Sequence, residues 1–167
     1  MTVHSFSLTG ESTRRDYAVY VAIAAPRKKG KLLLHTGNTG DFKRNCNPVA
    51  CWAGNHFSHN VIHAHQTLKI TASPEQYDYQ FLFTVYDTWK DDDKGRERVE
   101  LVNEMERELN RQLQLAVKDS KKAELTNAHA GTGNIMKAEK LRRAGFHNKK
   151  RMEQVKELLQ NVVEIIN

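Results

Sequence analysis

Glu106 is the residue hardest to explain by packing alone. Val102 lies four residues before it, and Leu109 and Leu113 lie three and seven after, so all share one side of a helix. A carboxylate on an otherwise apolar stripe is costly to bury unless it meets a metal ion or a cation. Glu100, Glu104 and Glu108 lack that setting. Glu104 has Glu100, Arg107 and Glu108 at helical contact spacing and reads as solvated. Three further residues can handle protons or phosphate charge. Tyr20 sits within an apolar run, facing away from Val19 and Val21. His35 precedes Gly37 by two positions, and Arg44 follows the next turn.

Other groups are candidates for binding. Cys46-x4-Cys51 followed by His59-x3-His63 makes a soft-ligand quartet, but the seven residues between the pairs are fewer than the roughly twelve of a common zinc finger. Two buried small side chains are the simpler reading of these cysteines. The stretch 47–65 is rich in Asn and His, and Asn55, His56, His59, Asn60 and His63 are placed to touch phosphates or base edges. Between Lys137 and Gln154 seven Lys/Arg stand against two Glu, an excess close to the net charge of the whole chain. Arg142, Arg143, Lys149, Lys150 and Arg151 there read as a phosphate-contacting arm or as a solvated helix face. Arg27-Lys28-Lys29-Gly30-Lys31 is a second basic knot, placed in a loop. Asp91-Asp92-Asp93 reads as a solvated turn rather than a metal site.

The elements that must position these groups follow from periodicity. Tyr17–Ala25 and Leu32–Thr36 read as strands that pair as an antiparallel hairpin across the basic knot, with residues 37–40 breaking the second. Phe57 to Leu68 has helical spacing, Tyr77–Val85 alternates with period two, and Arg96–Val117 carries the stripe Val102, Met105, Leu109, Leu113. In Lys149–Asn167 the residues Met152, Val155, Leu159, Val162 and Ile166 step by three and four. That seam either docks on its own core or pairs with the same helix of a second subunit. The expected fold is α+β, a small antiparallel three-stranded sheet flanked by helices, with a C-terminal helical extension. The core spans about 16–135 within a domain of 1–135, and a basic helical arm covers 136–167.

The chain has 167 residues, 39% hydrophobic and 28% charged, with a net charge of +6, the balance of an ordinary globular protein. No apolar run approaches the roughly 20 residues of a membrane span. Residues 1–15 are polar and lack the apolar core of a signal peptide, and two cysteines make no disulfide framework. These features lead us to expect a cytoplasmic protein, nuclear in a eukaryote, that is not secreted.

The order of elements and motifs resembles the GIY-YIG nuclease superfamily over about residues 16–135. Ala18-Val19-Tyr20 stands where that family carries Gly-Ile-Tyr, and His35-Thr36-Gly37 where it carries Tyr-Ile-Gly. The turn 38–44 is similar to the family's Thr-x-Asp-aromatic-x-x-Arg. His56-Phe57-Ser58 matches a helix with His and Ser, and Glu106-Arg107-Glu108-Leu109 matches the Glu helix. The family often places an Asn beyond that helix, for which Asn127 and Asn134 are candidates. The chain departs at Ala18 and His35, in a longer loop between the motifs, and in Arg44 falling one residue early, which makes Lys43 a rival. The resemblance implies a metal-dependent DNA endonuclease. Tyr20 would act as base or water-orienting group, His35 would hydrogen-bond Tyr20 or the water, Arg44 would clamp the phosphate, and Glu106 would hold one Mg²⁺ or Mn²⁺. The implied partner is DNA, with a homodimer through the C-terminal helix and no membrane. Two alternatives stay open: a non-catalytic nucleic-acid-binding module on a degenerate fold of this kind, and a zinc-stabilised interaction protein.

Overall fold

A run of nine buried residues, Asp16–Ala24, needs cover on both faces and both edges, and a central strand supplies it. In the computed structural model, which describes residues 5–40, 46–57, 74–128, 141, 144–145 and 149–167, this run is the core of β1 (Asp16–Pro26). It is preceded by α1 (Gly10–Thr13) and followed by β2 (Leu32–Asn38), α2 (Val49–Phe57), a 3-10 turn (Pro74–Gln76) and β3 (Tyr77–Thr88). Then come α3 (Gly95–Val117), β4 (Ala123–Leu125) and α4 (Lys149–Ile166). The sheet order is β3-β1-β2-β4. β1 pairs antiparallel with both β2 and β3, whereas β4 runs parallel to β2.

The sheet is therefore four-stranded and mixed, not the expected antiparallel three. β4 spans three residues, too few for an alternation to show in the sequence. Backbone bonds hold it in place: Leu32 N–H donates to Lys122 C=O (2.8 Å) and Thr126 N–H to Leu34 C=O (2.8 Å). β2 also runs through Gly37 to Asn38 instead of stopping at Thr36. The expected helix over 57–68 lies, beyond Phe57, outside the described residues, and the helix observed before it is Val49–Phe57.

One face of the sheet, formed by Tyr17, Val19, Val21, Ile23 and Leu34, packs against Val102, Met105, Leu109 and Leu113 of α3 and Val155, Leu158 and Val162 of α4. Each such aliphatic side chain contributes about 1.5–3 kcal/mol when fully removed from water. The α4 stripe is thus buried in its own chain. Its buried line, Val155, Leu158, Val162 and Ile166, steps by 3, 4 and 4, with Leu159 only partly covered. Of the expected seam, Val155, Val162 and Ile166 are covered within the chain, while Met152 and Leu159 are partly covered. No helix among the described residues is long and apolar enough to cross a membrane.

Candidate active site

The opposite face of β1 carries Tyr20. Antiparallel pairing sets Tyr20 against Gly37 and Ala22 against His35, so Tyr20, His35 and Gly37 share this face at one end of the hairpin. Gly37 is required there. A Cβ at that position would overlap the Tyr20 ring and hydroxyl, so the tyrosine lies directly over the glycine backbone. Phe81 of β3 flanks the ring, with centroids 6.0 Å apart. Tyr20 is 3% exposed. Burial pushes its hydroxyl well above the ordinary tyrosine range, and the negative charge of Glu106 pushes it further.

Glu106 reaches the same end of β2 from α3. Asn38 receives Gly40 N–H on Oδ1 (2.9 Å), which fixes the direction of its amide. Its Nδ2 donates to Asn103 Oδ1 (3.0 Å) and, in a short contact, to Glu106 Oε2. Burial raises the Glu106 carboxyl above its ordinary value, while the Asn38 hydrogen bond and the Arg107 charge pull the other way. The negative charge of Glu106 thus bears on Tyr20, 86 positions away in the chain.

Beside this pair runs a buried amide network. Asn110, fully buried, donates to Thr36 Oγ1 (2.7 Å) and to Asn127 C=O (3.0 Å), and its Oδ1 accepts from Gln114 (2.8 Å). Asn127 receives Thr36 N–H (3.1 Å) and donates to Thr36 C=O (2.8 Å), so its side chain continues the β4 pairing beside His35 and Gly37. Sequence reasoning missed Asn38, Asn103 and Asn110. The signal was there in part: Asn103, Glu106, Asn110 and Gln114 step by 3, 4 and 4, a polar stripe beside the apolar one on α3.

Several expected site residues lie outside the described residues: Lys43, Arg44, His59, Asn60, His63, Asn134, Arg142 and Arg143. His56 and Lys149 fall in α2 and α4, with side chains outside that description. Asn55 is exposed on α2 and Lys150 is exposed on α4. Arg151 is half-buried, its guanidinium 5.5 Å above the Tyr86 ring. Cys46 is buried as expected, whereas Cys51, expected to be buried with it, is turned outward on α2 and exposed. Two further expectations are corrected. Glu104, read as solvated, is 7% exposed and pairs with Arg107 at 3.1 Å, because α3 turns it toward the protein. The acidic turn is more than a solvated loop: Asp92 takes both terminal nitrogens of the buried Arg98 (2.6 and 2.8 Å). Among the described residues no three His, Cys, Asp or Glu side chains cluster to hold a metal. Comparison of the chain with family models, with characterised proteins and with solved structures finds no match, so function is read from these side chains.

Proposed function

We propose that the chain is a metal-dependent DNA endonuclease resembling the GIY-YIG superfamily, with Tyr20, His35, Arg44 and Glu106 as its catalytic set. One observation carries the reading: Tyr20 is seated over Gly37 of the His35-Thr36-Gly37 motif, and the next residue, Asn38, hydrogen-bonds Glu106. Burying a tyrosine hydroxyl and drawing a carboxylate from water at the same end of β2 costs free energy that Phe and Leu would not.

The donor chemistry fits a hard divalent cation. Glu106 is partly withdrawn from water, accepts a hydrogen bond from the Asn38 amide and lies in the field of the Arg107 charge. Mg²⁺ or Mn²⁺ held there would supply Lewis-acid stabilisation of phosphate charge. Tyr20, with its proton held tightly, orients the attacking water by hydrogen bonding instead of acting as base. His35, with an imidazole nitrogen able to accept, takes the proton from that water. Arg44 offsets the charge on the scissile phosphate.

A second reading, a non-catalytic nucleic-acid-binding module, is favoured by the 3% exposure of Tyr20, which leaves little of it open to substrate. Incubation with supercoiled plasmid and with single-stranded circular DNA, in Mg²⁺, Mn²⁺ or EDTA, separates the two. Metal-dependent nicking supports the nuclease, and binding without nicking under every condition supports the module.

A further inference from the structure

The basic knot Arg27–Lys31 belongs to the other end of the β1–β2 hairpin and has no part in the site above. The parallel pairing of β4 with β2 brings a second basic segment beside it. Leu32 is the partner of Ala123, and its N–H donates to Lys122 C=O (2.8 Å). Ser120 Oγ accepts from the N–H groups of Lys122 and Ala123 (3.1 Å each), which fixes the turn after α3. Lys31 and Lys118 line one cleft of about 370 Å³ with Gln114, Ser120 and Glu124. Segments some ninety residues apart thereby present Lys28, Lys29, Lys31, Lys118 and Lys121, all exposed, on one end of the sheet.

These lysines differ from most other described cations. Arg14, Arg27, Lys90, Arg96, Arg98, Arg107 and Arg111 each lie within 4 Å of a carboxylate. None of the five does so among the described residues, and Lys122 is held by Asn167 C=O (2.6 Å). The dipole at the end of α3 accounts for Lys118 and Lys121 but not for three lysines on a hairpin loop. The lysines here outnumber the neighbouring carboxylates Asp119 and Glu124, and such an excess of like charge raises the energy of the folded chain, a cost that a polyanion offsets.

We infer that this lysine surface holds the phosphate backbone of duplex DNA, at the end of the sheet opposite Arg151. Neither segment, 27–31 or 118–122, contains an aromatic or large apolar residue. That composition suits phosphate contact and lacks the groups for stacking single-stranded bases or entering a lipid surface. β2 separates the surface from Gly37 and Asn38 by about 20 Å at roughly 3.3 Å per residue, close to six base-pair rises of duplex. A duplex lying along the hairpin would touch both ends. The choice of DNA as the polyanion rests on the proposed nuclease function, but the contact itself does not require cleavage.

The test is binding of the full chain to a fluorescent 20-bp duplex in EDTA, between 50 and 200 mM KCl. The variant Lys29→Gln/Lys31→Gln/Lys118→Gln is compared with a charge-matched control, Lys90→Gln/Lys94→Gln/Lys156→Gln. The surface variant should bind at least about tenfold more weakly at 50 mM, with a salt slope shallower by about 2–3, while the control stays within about twofold of the parent. Equal behaviour of the two variants overturns the inference. So does absence of duplex binding by the parent chain, or loss of binding only to vesicles of anionic phospholipid. Plasmid nicking with equal variants would sink this surface and keep the nuclease, whereas selective loss of binding in a chain that never nicks would do the reverse.

Discussion

α3 carries two polar clusters, eight residues apart, that meet opposite electrostatic fates. At its start Arg98, with an 8% exposed side chain, donates to Asp87 (2.8 Å) and bidentately to Asp92, over the Tyr17 ring at 5.9 Å. Arg98 holds the Asp92 carboxyl down at about 2. For Asp87, burial works against ionisation, but the bonds from Arg98 and the Thr88 N–H prevail and lower it. Every charge there has a partner, and the cluster ties the end of β3 to the start of α3. Two turns on, Glu106 meets Asn38, its charge bears on Tyr20, and its carboxyl is raised by burial. A compensated cluster is explained by the fold it fastens. For Glu106 desolvation outweighs the Asn38 bond and the Arg107 charge, so its ionised form is costly to the fold, the mark of a candidate site.

The largest effect expected from breaking this contrast is on chemistry. Glu106→Gln keeps the shape and removes the charge, so Mg²⁺-dependent plasmid nicking should fall at least about 10³-fold while stability holds or rises slightly. Nicking that survives would take the metal away from Glu106. Gly37→Ala drives the Tyr20 ring from its seat. Overpacking of this kind costs about 1–3 kcal/mol, read from urea unfolding, and nicking should fall with it. An unchanged midpoint would mean that Tyr20 has another place to go. Arg98→Met acts on the other cluster. It should lower unfolding free energy by about 2 kcal/mol, less than for a fully enclosed pair because both aspartates remain about a third exposed. Nicking per folded molecule should not change.

The smallest expected effect is in pH dependence, where the two clusters have opposite signs. Asp87 and Asp92 hold protons less tightly when folded. Their stabilisation is complete above the ordinary aspartate value of 3.8 and is lost as pH falls toward 2. Glu106 holds its proton more tightly when folded, so stability drifts down as pH rises from the ordinary glutamate value of 4.5. Asp92→Asn should flatten the acid limb and Glu106→Gln the upper drift, measured by urea unfolding from pH 2 to 8. A Glu106→Gln curve parallel to the parent above pH 4.5 would mean that the carboxylate is hydrated in solution.

Much of the architecture was legible because period and burial coincide. The apolar run of β1, the hairpin across Arg27–Lys31 and the four-residue stripe of α3 all stand where spacing predicts them. The alternation at Tyr77–Gln80 also shows in burial, but from Phe81 onward both faces of β3 are partly covered and the pattern fades. Glu104 was misjudged because charged neighbours at helical spacing do not tell which way a helix is turned. Asn38 was missed because a residue beside a glycine reads as turn, whereas here it is the last residue of β2 and directs an amide at Glu106.

The sequence by itself determined the local elements and the presence of a tyrosine, a histidine, an arginine and a carboxylate in a suggestive order, since helical and strand periods are properties of neighbouring residues. Only the tertiary structure decided which charges are compensated. Arg98 finds Asp87 and Asp92 across a turn, Glu106 finds Asn38 across 68 positions, and the basic knot finds Lys118 through a parallel strand of three residues. Compensation depends on distance in space and on removal from water, and neither can be read from spacing along a chain.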